Sequence, residues 1–285
     1  MKKALSLMTA AALVLSLAAC GSTASSAASS EAASPEAASS DAASSEAASS
    51  EAASETETAE LSTVEPGKLI MSTNAAFPPY EMTTDSGEFE GIDIETAQAI
   101  ADKLGLELQI DDMDFDAALL SVQQGKADIV MTGVTVTDER KAVMDFSDSY
   151  ATGIQSIIVP EGSDITSPDD LAGKKIGTQR GTTGYIYCSD DFGDDAVVAY
   201  DDGLTAVQAL NNGQVDAVVI DNAPAKEFVA ANPGLVILDT SYAEEDYAIG
   251  LAKGSALEDA VNAALEELKA DGTLQSIVDK YITAE

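Results

Sequence analysis

The 285-residue chain has no histidine, no tryptophan, two cysteines and 14 Lys+Arg. Without histidine there is no Ser-His-Asp triad, no Cys-His dyad and no His-ligated zinc site, and no metal or cofactor is expected. The few bases stand against 50 Asp+Glu, a formal net charge of −36. A protein that neutralises phosphates needs clustered Lys and Arg, so the charge argues against nucleic-acid binding. It argues equally against electrostatic adhesion to an anionic membrane surface. What is present is 45% apolar residues, enough for a sizeable globular core, in a length that suits one or two domains.

The N-terminus reads as an address. Met1-Lys2-Lys3 is basic, and Ala4 to Ala19 is apolar apart from Ser6, Thr9 and Ser16. That run is too short for a spanning helix and predicts a secretory signal over residues 1–19. It ends in Leu17-Ala18-Ala19-Cys20-Gly21, which resembles a bacterial lipobox, implying that Cys20 becomes the acylated (palmitate-bearing) first residue of the mature chain. The alternative is ordinary signal cleavage that leaves Cys20 a plain thiol. Residues 21–60 are nearly all Ala, Ser, Thr and Glu, with acids at Glu31, Glu36, Asp41, Glu46 and Glu51. A period of five builds neither a helix face nor a strand. The acids meet no base, so the segment is expected to be a disordered, extended tether with a reach of about 35 Å. Lifting a folded domain off the membrane and simple solubility are both compatible with it.

The folded part is expected over residues 61–285. Two of the 14 bases lie in residues 1–3 and eight of the 50 acids in 21–60, leaving −30 on this part. Its lone cysteine, Cys188, permits no internal disulfide and suits a small apolar filler better than a nucleophile. Strand-like and helix-like stretches alternate. Lys68–Ser72 is a short strand, and Ile92–Leu104 carries apolar residues at helical spacing and stops at Gly105. Leu106–Ile110 alternates like a strand, Phe115–Gln124 returns to helical spacing before Gly125, and Asp128–Met131 is the next strand. The alternation predicts α/β layers with a mostly parallel sheet. Residues 118–131 and 207–220 echo one another: helix, glycine stop, Asp, apolar strand. Chance similarity would explain a single match, but two such units suit two similar lobes.

In open parallel sheets ligands sit beyond the carboxyl ends of strands. Those positions hold Asn74 and Phe77 after the first strand, Gly133, Thr135 and Arg140 after the Asp128 strand, Gln179 and Thr183 after a strand at 174–178, and Asp221 after the Ala217 strand. One cation, one anion, small polar loops and aromatic walls (Phe77, Phe115) match an α-amino acid, whose carboxylate takes a guanidinium fork and whose ammonium takes a carboxylate. Each feature also has a plainer reading. Arg140 could pair with Asp138, Glu139 or Asp145; Asp221 could simply cap a helix; Gly181–Gly184 could be a tight turn; the aromatics could be core.

Residues 66–285 resemble the extracytoplasmic solute-binding proteins of ABC importers for polar amino acids, such as the glutamine- and histidine-binding proteins. The resemblance rests on Phe77-Pro78-Pro79-Tyr80-Glu81, Gly91-Ile92-Asp93-Ile94, Gly133 through Arg140, Asp145 through Tyr150, Gly181-Thr182-Thr183-Gly184, Asp216 through Asp221 and Asp271-Gly272-Thr273, in family order. It implies a two-lobed type II periplasmic-binding fold, with lobe 1 at 61–149 plus 250–285, lobe 2 at 155–244, and hinges near 150–154 and 245–249. It implies that Arg140 holds the ligand carboxylate with main-chain N–H groups of Thr135 and Thr183. Asp221 would take the ammonium with Gly133 and Thr135, and Phe77 and Phe115 would sandwich the ligand. Asn74, where several relatives carry Asp, and Gln179 would face the ligand side chain and favour a polar, uncharged amino acid such as glutamine or cystine. A monomer that delivers its ligand to a permease, touching the membrane only through its lipid, is the expected working form. A sensory receptor and, less favoured, a cyclic-acid dehydratase are the alternatives on this fold.

Overall fold

The computed structural model describes residues 61–282; the expected signal, Cys20 and the tether lie outside them. Two five-stranded sheets organise this region. The first is built from β1 (Lys68–Thr73), β5 (Glu107–Asp112), β6 (Ile129–Val130), β7 (Met144–Phe146) and β13 (Gly250–Ala252), in the order β5-β1-β6-β13-β7. The second holds β8 (Ala151–Pro160), β9 (Ile176–Gln179), β10 (Val197–Tyr200), β11 (Ala217–Asp221) and β12 (Leu235–Tyr247), in the order β10-β9-β11-β8-β12. A small antiparallel sheet, β2 (Ala76–Phe77), β3 (Glu81–Thr83) and β4 (Phe89–Glu90), sits between β1 and the first helix in sequence.

The helices are α1 (Ile92–Leu104), α2 (Phe115–Gln123), α3 (Asp138–Lys141), α4 (Thr183–Phe192), α5 (Gly203–Asn211), α6 (Asn222–Ala231), α7 (Glu258–Ala270) and α8 (Thr273–Tyr281). α1 ends at Gly105, which takes the left-handed conformation and returns its N–H to the last turn, as a glycine stop requires. The echoed stretches become α2–β6 and α5–β11, which hold matching places, since β6 and β11 are each the central strand of their sheet. A side chain in a strand points to alternate faces. In β1, Leu69 and Met71 pack with α1, α7 and α8 residues, while Ile70 faces Phe115, Ala118 and Val122 of α2. The second sheet repeats this: Val218 and Ile220 meet α5 and α6, whereas Ala217 and Val219 meet Cys188 of α4. Both sheets are therefore covered on two faces, which is why their strands are apolar runs. Cys188 is fully buried in that layer and its thiol is pushed up to about 12 by burial, consistent with a filler.

One expectation needs correction. The sheets are not mostly parallel: four pairings are parallel and four antiparallel. The antiparallel members are all pairings of β8 or β13. β8 leaves the first sheet for the second, and β13 follows directly on β12, which returns. A strand arriving from the opposite sheet runs against its neighbours. β8 and β12 pair along most of their length, from Leu235↔Pro160 to Tyr247↔Ala151, with irregularities between Ile237 and Ala243. The expected hinge segments fall where this ribbon adjoins the first sheet.

Candidate functional site

A cavity partly open to solvent gathers the carboxyl ends of strands from both sheets. Its wall includes all nine residues expected to touch ligand: Asn74, Phe77, Phe115, Gly133, Thr135, Arg140, Gln179, Thr183 and Asp221.

Arg140 sits in α3, a single turn whose first N–H groups are capped by Thr137, with the Thr137 hydroxyl accepting from Arg140 N at 3.2 Å. This turn carries the guanidinium inward until it is 9% exposed. Its Nη1 donates to Thr135 O at 2.8 Å and its Nη2 to Gly181 O at 3.2 Å, while its carbon lies 5.4 Å from the centre of the Phe115 ring. Of the carboxylates considered for it, Asp145 pairs instead with Lys253 at 2.6 Å. Among the described residues its hydrogen bonds go to neutral carbonyls, and the Glu245 and Asp116 carboxylates act on it through space without an ion pair, so its remaining N–H groups can take an anion. The N-terminus of α4 opens on the same spot: Thr182 caps it and Thr183 is its first residue. Unpaired N–H groups and the helix dipole favour negative charge there.

Asp221 lies at the end of β11 and is 2% exposed. It does cap α6, accepting from Ala223 N at 2.9 Å, and its second oxygen accepts from Ile154 N at 2.7 Å. Burial pushes its carboxyl up to about 6, against the pull of those two N–H groups. A buried carboxylate in that condition gains from a cation more than an exposed one would. Capping α6 therefore leaves the Asp221 carboxyl on the cavity wall.

At a third point on the wall, Gln179 Nε2 donates to Asn74 Oδ1 at 2.8 Å, and Asn74 Nδ2 donates to Met113 O at 3.0 Å. Asn74 belongs to the loop after β1 and Gln179 ends β9, so this amide pair bridges the two sheets. Phe77 stacks on Tyr80 at 5.7 Å, and Tyr80 meets Tyr247 edge-on at 5.5 Å. The two expected sandwich rings are thus held differently, Phe77 by a tyrosine and Phe115 by the guanidinium. Gly133, at φ +55°, lies against Phe77, and a Cβ there would come within 2.9 Å of that ring. Only glycine fits.

Thr132 and Thr182, at strand ends like the others, also line the cavity, as do Gln155, Val219, Ile220 and Tyr247, which were not foreseen. Gln155 had a signal, a polar residue inside the apolar β8 run. Behind the wall stands Glu245, 6% exposed, whose Oε2 accepts from Thr135 Oγ1 at 3.1 Å and Gln155 Nε2 at 2.9 Å. Its neighbours Glu244 and Asp246 are exposed, so strand alternation alone selects the inward acid from a run of three.

A two-sheet α/β molecule with one cavity at facing strand ends is the form of a solute-binding protein. Residues 69–284 match the family of bacterial extracellular solute-binding proteins, family 3, and the chain belongs to it. It is 34% identical over 226 residues to the L-cystine-binding protein TcyJ of Escherichia coli (strain K12), covering 78% of this chain and 85% of that one. Among solved structures it is similar to the arginine-, lysine-, histidine-binding protein ArtJ of Geobacillus stearothermophilus, with 34% identity, a TM-score of 0.73 and coverage of 76% and 96%. It is also similar to an ancestral arginine-binding protein bound to glutamine, with 41% identity, a TM-score of 0.73 and coverage of 77% and 100%. Family members work outside the cytoplasm, and among the described residues no helix is long and apolar enough to cross a membrane.

Proposed function

We propose that the protein captures a free polar α-amino acid in this cavity and delivers it to the permease of an ABC importer. The observation that carries the reading is the placement of a guanidinium without an ion-pair contact among the described residues and a buried carboxylate on one cavity wall, one contributed beside each sheet. Arg140, with the N-terminus of α4, would hold the ligand carboxylate; Asp221, with Gly133 and Thr135 acceptors, would hold the ammonium. Each charge-assisted bond contributes about 1.5–3 kcal/mol net, and micromolar affinity needs only about 8 kcal/mol, so four or five such bonds suffice after the cost of association. A zwitterion gripped from both sheets favours their approach, closing lobes 61–149 plus 250–285 and 155–244 about hinges near 150–154 and 245–249.

The neutral amides of Asn74 and Gln179 support a polar, uncharged side chain, glutamine or cystine, as does the similarity to a cystine-binding protein. Binding without turnover fits Asp221, whose two oxygens are both engaged by main-chain N–H groups. We further assign residues 1–19 to a signal and Cys20 to the lipid anchor of a monomeric lipoprotein. A thermal-shift screen of the folded domain against the proteinogenic amino acids and cystine tests the reading. A ligand at about 100 times its Kd stabilises by roughly 2.7 kcal/mol; no shift with any of them ends the proposal. Release of a Cys20→Ser variant from the membrane fraction tests the anchor, and its retention there rejects it.

A further inference from the structure

Glu81 and Asp93 are both fully buried. Glu81 begins β3 and Asp93 is in the first turn of α1, where the Asp93 N–H donates to Tyr80 O at 2.8 Å and so brings the two carboxyls near each other. Asp93 Oδ2 accepts from Gly133 N at 3.0 Å and from Tyr150 OH at 2.8 Å. Glu81 Oε1 accepts from Thr132 Oγ1 at 2.5 Å. The remaining oxygens, Glu81 Oε2 and Asp93 Oδ1, meet no donor among the described residues. The titratable groups facing the pair are Tyr80, Tyr150 and Asp112, with Asp221 beyond Tyr80. None of them is a cation.

Two neighbouring ionised carboxylates, out of water and without a counter-ion among the described residues, repel strongly and lose hydration that nothing replaces. We infer that Glu81 and Asp93 share one proton, with Glu81 as the acid and Asp93 as the carboxylate, and that this pair positions Thr132 and Gly133 on the cavity wall. The assignment follows from the donors: Asp93 receives two and Glu81 one, so the charge rests better on Asp93. Burial and the neighbouring carboxylate both push Glu81 far up, in line with this. The pair works as a positioning device. Asp93 pulls the Gly133 N–H away from the cavity, and Glu81 engages the hydroxyl of Thr132. The proton itself does not depend on the amino-acid reading; only its value for binding rests on that reading.

The test uses the unliganded protein and a Glu81→Gln variant, in which an amide N–H replaces the shared proton and the amide oxygen still faces Thr132. At pH 8 the wild type is expected to show the infrared C=O stretch of a protonated carboxyl, and the variant to lack it. A wild-type spectrum without that band overturns the proposal whether or not the variant folds. The folded wild type holds one proton that the unfolded chain, with ordinary carboxyls near 4, has released. Its stability should therefore fall as pH rises. Relative to the variant, the unfolding equilibrium constant is expected to increase up to tenfold per pH unit above pH 5 until the pair itself ionises. Parallel pH profiles would contradict the shared proton. The Gly133 amide resonance in a nitrogen-15 spectrum is expected to move with pH in the wild type and to stay fixed in the variant; a resonance that is equally still in both refutes the positioning role. None of the three readings needs a ligand, so the amino-acid proposal can fail separately.

Discussion

The cavity has two ends of different make. Around Arg140, α4 and Asp221 it offers full charges and main-chain N–H groups, each side chain anchored by backbone: Arg140 by two carbonyls, Asp221 by two amides. At Asn74 and Gln179 it offers neutral amides bonded to one another and to the Met113 and Asp201 carbonyls. The first end suits what all α-amino acids share. The second end suits what differs among them, and it carries no full charge. A scaffold divided this way can change its choice of ligand without disturbing its grip.

Mutations can break that contrast or sharpen it. Arg140→Ala should have the largest effect, a loss of at least about a hundredfold in amino-acid affinity, some 2.7 kcal/mol, with an unchanged far-ultraviolet spectrum; near-native affinity by calorimetry would remove Arg140 from the site. Asp221→Ala should cost at least about tenfold, or 1.4 kcal/mol, and part of any lost stability belongs to the α6 cap. Lowering the pH through about 6 should mimic this change, because the raised Asp221 carboxyl takes up a proton and loses its attraction for the ammonium. In the free protein the sign is opposite: a carboxyl raised in the folded state costs stability as pH climbs from 4 to 6, so ligand and pH act on Asp221 in opposition. A flat affinity between pH 5 and 8 would reject the ammonium role. Asn74→Asp should leave the overall grip intact and shift preference by about tenfold towards arginine or lysine, read as a ratio of dissociation constants. An unchanged ratio would mean that the amide end does not read the side chain.

Much of the layout could be read from the chain. The 13-residue span of α1 and its glycine stop were visible as period plus terminator, and the α2–β6 and α5–β11 echo pointed to two similar units. The strand-end rule brought eight separate positions to one cavity, and the Phe115 ring joined them. What stayed hidden depended on strands meeting across the molecule. The antiparallel placement of β8 and β13 follows from where the chain crosses between sheets, which no local pattern records. Tyr247 lies against Tyr80 from the far end of the chain. Glu245 looks like one of three surface acids until the pairing of Glu245 with Gly153 turns it inward. Glu81 and Asp93 stood in the quoted motifs, yet nothing local showed that they come near each other.

The placement of β13 bears on the order of assembly. This three-residue strand lies between β6 and β7, although more than a hundred residues separate it from β7 in the chain. The second sheet needs nothing beyond Tyr247. The first cannot be stitched together until Gly250–Ala252 has emerged and slotted into the gap. β7, which pairs with no other strand of that sheet, must wait for Gly250–Ala252 before it joins.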